Sequence, residues 1–125
     1  MVAQKYIGRP FLIDKLKFDL RIYVMLYGIN PMRIFVYEEG LARFATVPYE
    51  EPKNANMRNM FMHLTNYAIN KESSDYKQNE NAEGSGKSHK RGLKQIYKTI
   101  ESKGLDVEKL KGGINDLIIK TMITA

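Results

Sequence analysis

The chain has 125 residues, so it holds one domain or part of one, and its 43% hydrophobic content is enough for a packed core but not a large one. It has no cysteine, which excludes a disulfide framework and a thiolate metal site and fits an intracellular protein. The net charge of +6 is mild and spread out: it favours an anionic partner but lacks the dense basic stripe of a nucleic-acid reader. No apolar run approaches the length of a membrane span, and Met1-Val2-Ala3-Gln4-Lys5-Tyr6 has no apolar region of the signal-peptide kind.

In chain order, Gln4-Lys5-Tyr6-Ile7 comes first and is closed by Gly8-Arg9-Pro10. Phe11-Leu12-Ile13 follows, and Asp14-Lys15-Leu16 turns into residues 17–27, which read as a β-strand. Side chains alternate between the two faces of a strand. Phe18, Leu20, Ile22, Val24 and Leu26 therefore form a core face, while Lys17, Asp19 and Arg21 stand on the other. Those three charges span about 13 Å at ~3.3 Å per residue, roughly the reach of a nucleoside triphosphate. Two cations around one carboxylate suit phosphate oxygens and a hydroxyl. On alternation alone a solvated outer face is the simpler reading; the rest of the chain reverses that preference.

Gly28-Ile29-Asn30-Pro31 is a turn signal, and residues 32–37 read as a second strand. Glu38-Glu39-Gly40 reads as a hairpin connection and residues 41–46 as a third strand, giving an antiparallel meander over 17–46. Residues 47–59, punctuated by Pro48, Pro52 and three asparagines, read as a loop. The run from Met60 to Lys71 mixes apolar bulk with His63, Thr65, Asn66 and Asn70. His63 alone reads as a core histidine, and His89, the other histidine, gives it no zinc partner set. Residues 72–92 are polar and read as a flexible surface loop. Its Gly84-Ser85-Gly86-Lys87-Ser88 is not a P-loop, because the position five before Gly86 is Asn81. Leu93, Ile96, Tyr97 and Ile100 recur at helical spacing with Lys94, Lys98 and Glu101 outside, predicting a helix over 88–103 that Gly104 ends. Ile114, Leu117, Ile118, Met122 and Ala125 predict a second helix over 113–124, capped by Gly113 or Asn115.

Four segments together carry a resemblance: Gln4-Lys5-Tyr6-Ile7; Lys17-Phe18-Asp19-Leu20-Arg21 with Tyr23-Val24; Glu39-Gly40-Leu41-Ala42-Arg43-Phe44; and Met62-His63-Leu64-Thr65-Asn66-Tyr67-Ala68-Ile69-Asn70-Lys71. In order and spacing they resemble the tubulin–tyrosine ligase-like family, and most closely its polyglutamylase branch. Any one segment alone is weak; four in order are specific. The resemblance covers residues 4–71 and, more loosely, continues through Ile118-Ile119-Lys120-Thr121.

The resemblance implies an α/β fold, a partial ATP-grasp domain built on an antiparallel meander with flanking helices. It implies an ATP-dependent ligase that adds glutamate to acidic tubulin tails through an acyl phosphate, using ATP, Mg²⁺ and free glutamate. It implies no nucleic-acid or membrane partner, and a place in the cytoplasm on the microtubule cytoskeleton, in a cilium or at a basal body. Gln4, Lys5, Tyr6 and Ile7 would hold the adenine, mainly through backbone. Lys17 and Arg21 would meet the phosphates, Asp19 the sugar or the two cations, and Arg43 the γ-phosphate or acyl phosphate. Lys17, Arg21 and Arg43 would thus be the catalytic residues, and His63, Leu64, Thr65 and Asn66 would line the pocket from the other side. Metal-binding carboxylates and a glycine-rich phosphate loop are expected outside residues 1–125. The chain is therefore expected to be the central piece of one such domain and inactive alone. The alternatives are a nucleotide- or microtubule-binding module without turnover, a glycine ligase of the same family, and a basic interaction domain with merely solvated strand faces.

Overall fold

The computed structural model describes residues 3–77 and 88–124. Its elements are β1 (Phe18–Ile29), β2 (Met32–Phe44), α1 (Met60–His63), α2 (Tyr67–Asn70), β3 (Lys90–Gly92), α3 (Leu93–Ser102) and α4 (Val107–Thr124). The three strands form one antiparallel sheet in the order β1-β2-β3, so the chain is mixed α/β as expected. By its contacts the chain divides into two units, Met1–Asp19 with Ala42–Arg91, and Leu20–Leu41 with Gly92–Ala125.

The first unit is organised around Phe44. Its ring is 1% exposed and stacks on Phe18 at 5.2 Å, with Phe11 edge-on to Phe18. Ile13, Ala42, Ala45 and Met62 complete the buried apolar set. Ile13 and Leu16 close a tight turn by reciprocal backbone hydrogen bonds, with Asp14 and Lys15 both at positive φ, 55° and 63°. Two successive positive φ values mark a type I′ geometry, usually given to Asn or Gly. Here Asp14 is held by the buried Arg91, 2.7 Å away.

Arg91 also corrects one expectation. Residues 72–92 read as a solvated loop, and 78–87, with Gly84 to Lys87, lie outside the described residues. Ser88, His89 and Arg91, however, are buried, and Lys90–Gly92 is β3. The Phe44 N–H donates to the His89 carbonyl, and the Arg91 guanidinium lies 4.2 Å over the Phe44 ring while its Nε donates to the Ser88 carbonyl. A charge that is paired, stacked and hydrogen-bonded can be buried. An apolar count sees none of this.

In the second unit β1 alternates as predicted from Leu20 to Val24: Leu20, Ile22 and Val24 are half-buried, while Arg21 and Tyr23 are exposed. Leu26 departs from the pattern and is exposed, as are Tyr27 and Ile29 after it. The predicted connection at Glu38-Glu39-Gly40 does not exist, because β2 runs unbroken through it. A Cβ on Gly40 would stand 2.5 Å from the Arg21 carbonyl oxygen, so glycine there permits close strand approach rather than a turn. Helix α3 begins at Leu93, not 88, and buries Leu93, Ile96 and Ile100. Gly104, at φ 78°, ends it as predicted, with its N–H donating to the Glu101 carbonyl. Helix α4 starts at Val107, six residues earlier than expected, and runs through Gly112 and Gly113 rather than being capped there. Ile114, Ile118 and Met122 are half-buried in it, whereas Leu117, assigned to the same face, is 66% exposed.

Gly40→Ala is expected to cost about 2–3 kcal/mol, because backbone must move to admit the methyl. Gly112→Ala, with no heavy atom within 4 Å of the new methyl, is expected to stabilise by up to about 1 kcal/mol. Urea denaturation of the two variants checks the pair.

His89 sets a pH dependence. Burial holds its imidazole below the usual value of 6.5, with the Arg91 charge acting the same way. The Lys77 N–H donates to its Nδ1 at 2.9 Å, and so needs a free lone pair there. A base depressed in this way binds fewer protons folded than unfolded just below pH 6.5. Its contribution is therefore complete above that value and is lost as pH falls, by at most about 1.4 kcal/mol per pH unit. His89→Asn, which keeps an acceptor without titrating, is expected to flatten the acid side of a stability profile between pH 5 and 8.

Candidate functional site

Every residue assigned to the site from sequence, except Arg21, falls in the first unit. Gln4 to Ile7 are an exposed segment without regular secondary structure, with Tyr6 42% exposed. Lys17 sits just before β1, and its carbonyl accepts from the Ala45 N–H. Its ammonium donates to the Tyr6 hydroxyl at 3.1 Å and to the His63 carbonyl at 2.8 Å, and lies 4.4 Å from the centre of the Tyr6 ring. The Tyr6 hydroxyl in turn meets His63 Nδ1 at 3.0 Å. Three segments distant in sequence thus converge on one cation.

Asp19 and Arg43 form a second pair. Arg43 Nε donates to Oδ1 at 3.0 Å and Nη2 to Oδ2 at 2.5 Å, the planar two-point geometry that fixes a guanidinium. The strand face that placed Asp19 also places Arg43, from β2, within reach. Arg21 lies two residues beyond Asp19 on β1, exposed, in the second unit.

Burial lowers the Lys17 ammonium below its ordinary value, opposed by Tyr49 and by the Asp19 charge. An anion arriving beside it would relieve that penalty. Burial, and next the neighbouring Tyr6 hydroxyl, push Tyr49 up to about 12. Its phenol therefore stays a donor at neutral pH, given to the Gly8 carbonyl at 2.8 Å. Beside Tyr6 and His63 an apolar cavity of about 430 Å³ opens, lined by Pro52, Met57, Met60 and Leu64.

Thr65 and Asn66 occupy the extended step between the one-turn helices α1 and α2. Thr65 borders a narrow cleft with Arg43, Tyr67 and Lys90. Sequence reasoning passed over Lys90, whose ammonium lies 3.7 Å over the Tyr67 ring. It sits in the polar stretch read as loop, and only its pairing as β3 brings it to Arg43. Asn70, noticed only as one polar residue among four, is 1% exposed. Its Oδ1 accepts from the Thr46 N–H and hydroxyl, and its Nδ2 donates to the carbonyls of Leu64 and Asn66. The whole carboxamide is satisfied, and it clamps the step that carries Thr65 and Asn66. A single buried amide followed by Lys is too common a pattern to have revealed this.

Among the described residues no group of three or more His, Asp or Glu is placed to hold a metal ion. No helix among them is long and apolar enough to cross a membrane.

The family model of the tubulin-tyrosine ligase family matches residues 1–125, and the chain belongs to that family. It is 50% identical over 125 residues to the mouse tubulin polyglutamylase TTLL13 and 48% identical over 124 residues to a probable beta-tubulin polyglutamylase of Tetrahymena thermophila. It is also 48% identical over 125 residues to human tubulin polyglutamylase TTLL6. These alignments cover 99–100% of the chain but only 10–15% of each relative.

Asn70→Ala is expected to destabilise the protein by about 2–4 kcal/mol, since it leaves buried partners on both sides unpaired. Asn70→Asp should be no better, because a carboxylate would face two carbonyl oxygens. Chemical denaturation of the two variants checks this.

Proposed function

We propose that the first unit supplies part of the nucleotide site of an ATP-dependent ligase that adds glutamate to tubulin tails. The observation that supports it most is the convergence of Tyr6 and His63 on the Lys17 ammonium, near the Asp19–Arg43 pair. The relatives, two tubulin polyglutamylases and one probable beta-tubulin polyglutamylase, point to the same class of substrate. They also favour the microtubule cytoskeleton as the place of work.

The chemistry asks for such a site. A carboxylate oxygen attacks the γ-phosphorus of ATP, the bond to the β-phosphate oxygen breaks, and an acyl phosphate and ADP result. An amine then attacks the acyl carbon, phosphate leaves with the bonding pair, and the amine's proton goes to solvent or base. Both steps gather negative charge, so fixed cations stabilise them without any protein nucleophile. Lys17 would meet a phosphate oxygen, and Arg43, held rigid by Asp19, would face the transferring group. The apolar cavity beside Tyr6 suits a purine.

Mg²⁺ is the ordinary partner of such phosphates. The described residues do not fit it: Asp19 accepts from Arg43 on both oxygens, and no group of three or more His, Asp or Glu is placed to hold a metal ion among them. No step is therefore assigned to the metal on these residues.

In the full-length protein, Lys17→Ala is expected to reduce ATP-dependent transfer of radiolabelled glutamate to tubulin by at least about 100-fold with the fold intact by circular dichroism. Arg21→Ala is expected to do the same on the strength of the family resemblance. Lys53→Ala, an exposed charge outside the site, should leave transfer unchanged. An equal loss there would mean a generic charge effect, and nucleotide binding without any transfer would favour a module that does not turn over.

A further inference from the structure

With the His63 ring neutral, the hydrogen bonds around Lys17 have one consistent direction. His63 Nε2 lies 3.1 Å from the carbonyl oxygen of Asn56, which can only accept. Nε2 therefore carries the proton in the neutral ring, and Nδ1 presents a lone pair. The Tyr6 hydroxyl, 3.0 Å from Nδ1, must donate to it. Its oxygen then has lone pairs for the Lys17 ammonium, 3.1 Å away. Tyr49 gives its proton to the Gly8 carbonyl and meets Tyr6 only as an acceptor; a Tyr6 proton turned to it would leave two lone pairs facing each other between Tyr6 and Nδ1. Lys17 has three N–H donors. One goes to Tyr6, one to the His63 carbonyl, and the direction of the third is thereby fixed.

We infer that Tyr6 acts through its side chain as a positioning residue: with His63 held as the Nε2–H tautomer by Asn56, its hydroxyl fixes the Lys17 ammonium so that one N–H is aimed at an anionic oxygen of the ligand. This rests on the nucleotide reading above and goes beyond it, since that reading gives the Tyr6 segment mainly a backbone role and assigns its hydroxyl none. A lysine side chain loses much rotamer freedom on binding. Fixing it beforehand raises affinity without any new contact to the ligand.

The test is a double-mutant cycle in the full-length protein, read as equilibrium binding of a fluorescent ATP analogue with Mg²⁺. Tyr6→Phe, which removes only the hydroxyl, is expected to weaken binding about tenfold. Lys17→Met should weaken it more, and Tyr6→Phe should add nothing in the Lys17→Met background. Additive losses, or full affinity in Tyr6→Phe while Lys17→Met binds poorly, would overturn the positioning role and leave the nucleotide reading standing. Full affinity in Lys17→Met would instead sink the nucleotide reading and this inference with it. A second readout needs no ligand: the ¹⁵N shifts of the His63 ring should show the proton on Nε2, and the Nδ1 resonance should move in Tyr6→Phe. A proton found on Nδ1 contradicts the proposed direction whatever the binding data show.

Discussion

A primary carboxamide has two donors and two acceptor positions, and at Asn70 all four are taken inside the first unit. Both donors go to carbonyls of the segment between α1 and α2, and both acceptor positions go to Thr46, just beyond the end of β2. That segment has too little regular structure to hold itself: the two helices are one turn each, and neither has a side-chain cap. Its shape therefore depends on a buried polar group in place of a hydrophobic face. The arrangement is demanding, because a half-satisfied buried amide costs more than an apolar residue would. It is also specific, since only a side chain with both donors and acceptors at that point can join the strand end to the loop.

The same logic explains what was legible in the sequence and what was not. Period-two alternation revealed β1 wherever one face is half-buried and the other wet, from Leu20 to Val24. It failed from Leu26 onward, where both faces are exposed and no burial enforces a pattern. Period 3.6 revealed α3, because Leu93, Ile96 and Ile100 pack in one stripe. The start of α4 was missed because two adjacent glycines looked like a boundary; an 18-residue helix absorbs their low propensity. β3 was invisible for a deeper reason. Three residues, two of them cationic, carry no hydrophobic signal, and they are held through Phe44, Asp14 and the Ser88 backbone.

The candidate site divides along the same line. Strand geometry put Lys17, Asp19 and Arg21 on one side, and the family resemblance added Arg43, which forms a two-point ion pair with Asp19. His63 read alone as a core histidine, and it is buried and hydrogen-bonded on both nitrogens. Its position beside Lys17 comes from a separation of 46 residues that no local pattern encodes. Lys90 could not be nominated, because nothing in a polar stretch says which lysine will join a sheet.

The two site cations are prepared in different ways, and the difference bears on what each can do. Arg43 meets a full negative charge on two of its nitrogens, so its guanidinium plane is fixed and its charge is partly neutralised before any ligand arrives. Among the described residues Lys17 meets neutral groups at hydrogen-bonding distance, a phenol and a carbonyl, and burial already works against its charge. Neutral partners orient an ammonium without cancelling it, and partial desolvation raises what an incoming anion gains by approaching. On the nucleotide reading proposed above, recognition of a ligand's negative charge would therefore fall chiefly to Lys17. On the same reading Arg43 would be better suited to holding geometry as charge shifts, since a guanidinium locked by a carboxylate has little orientation left to lose.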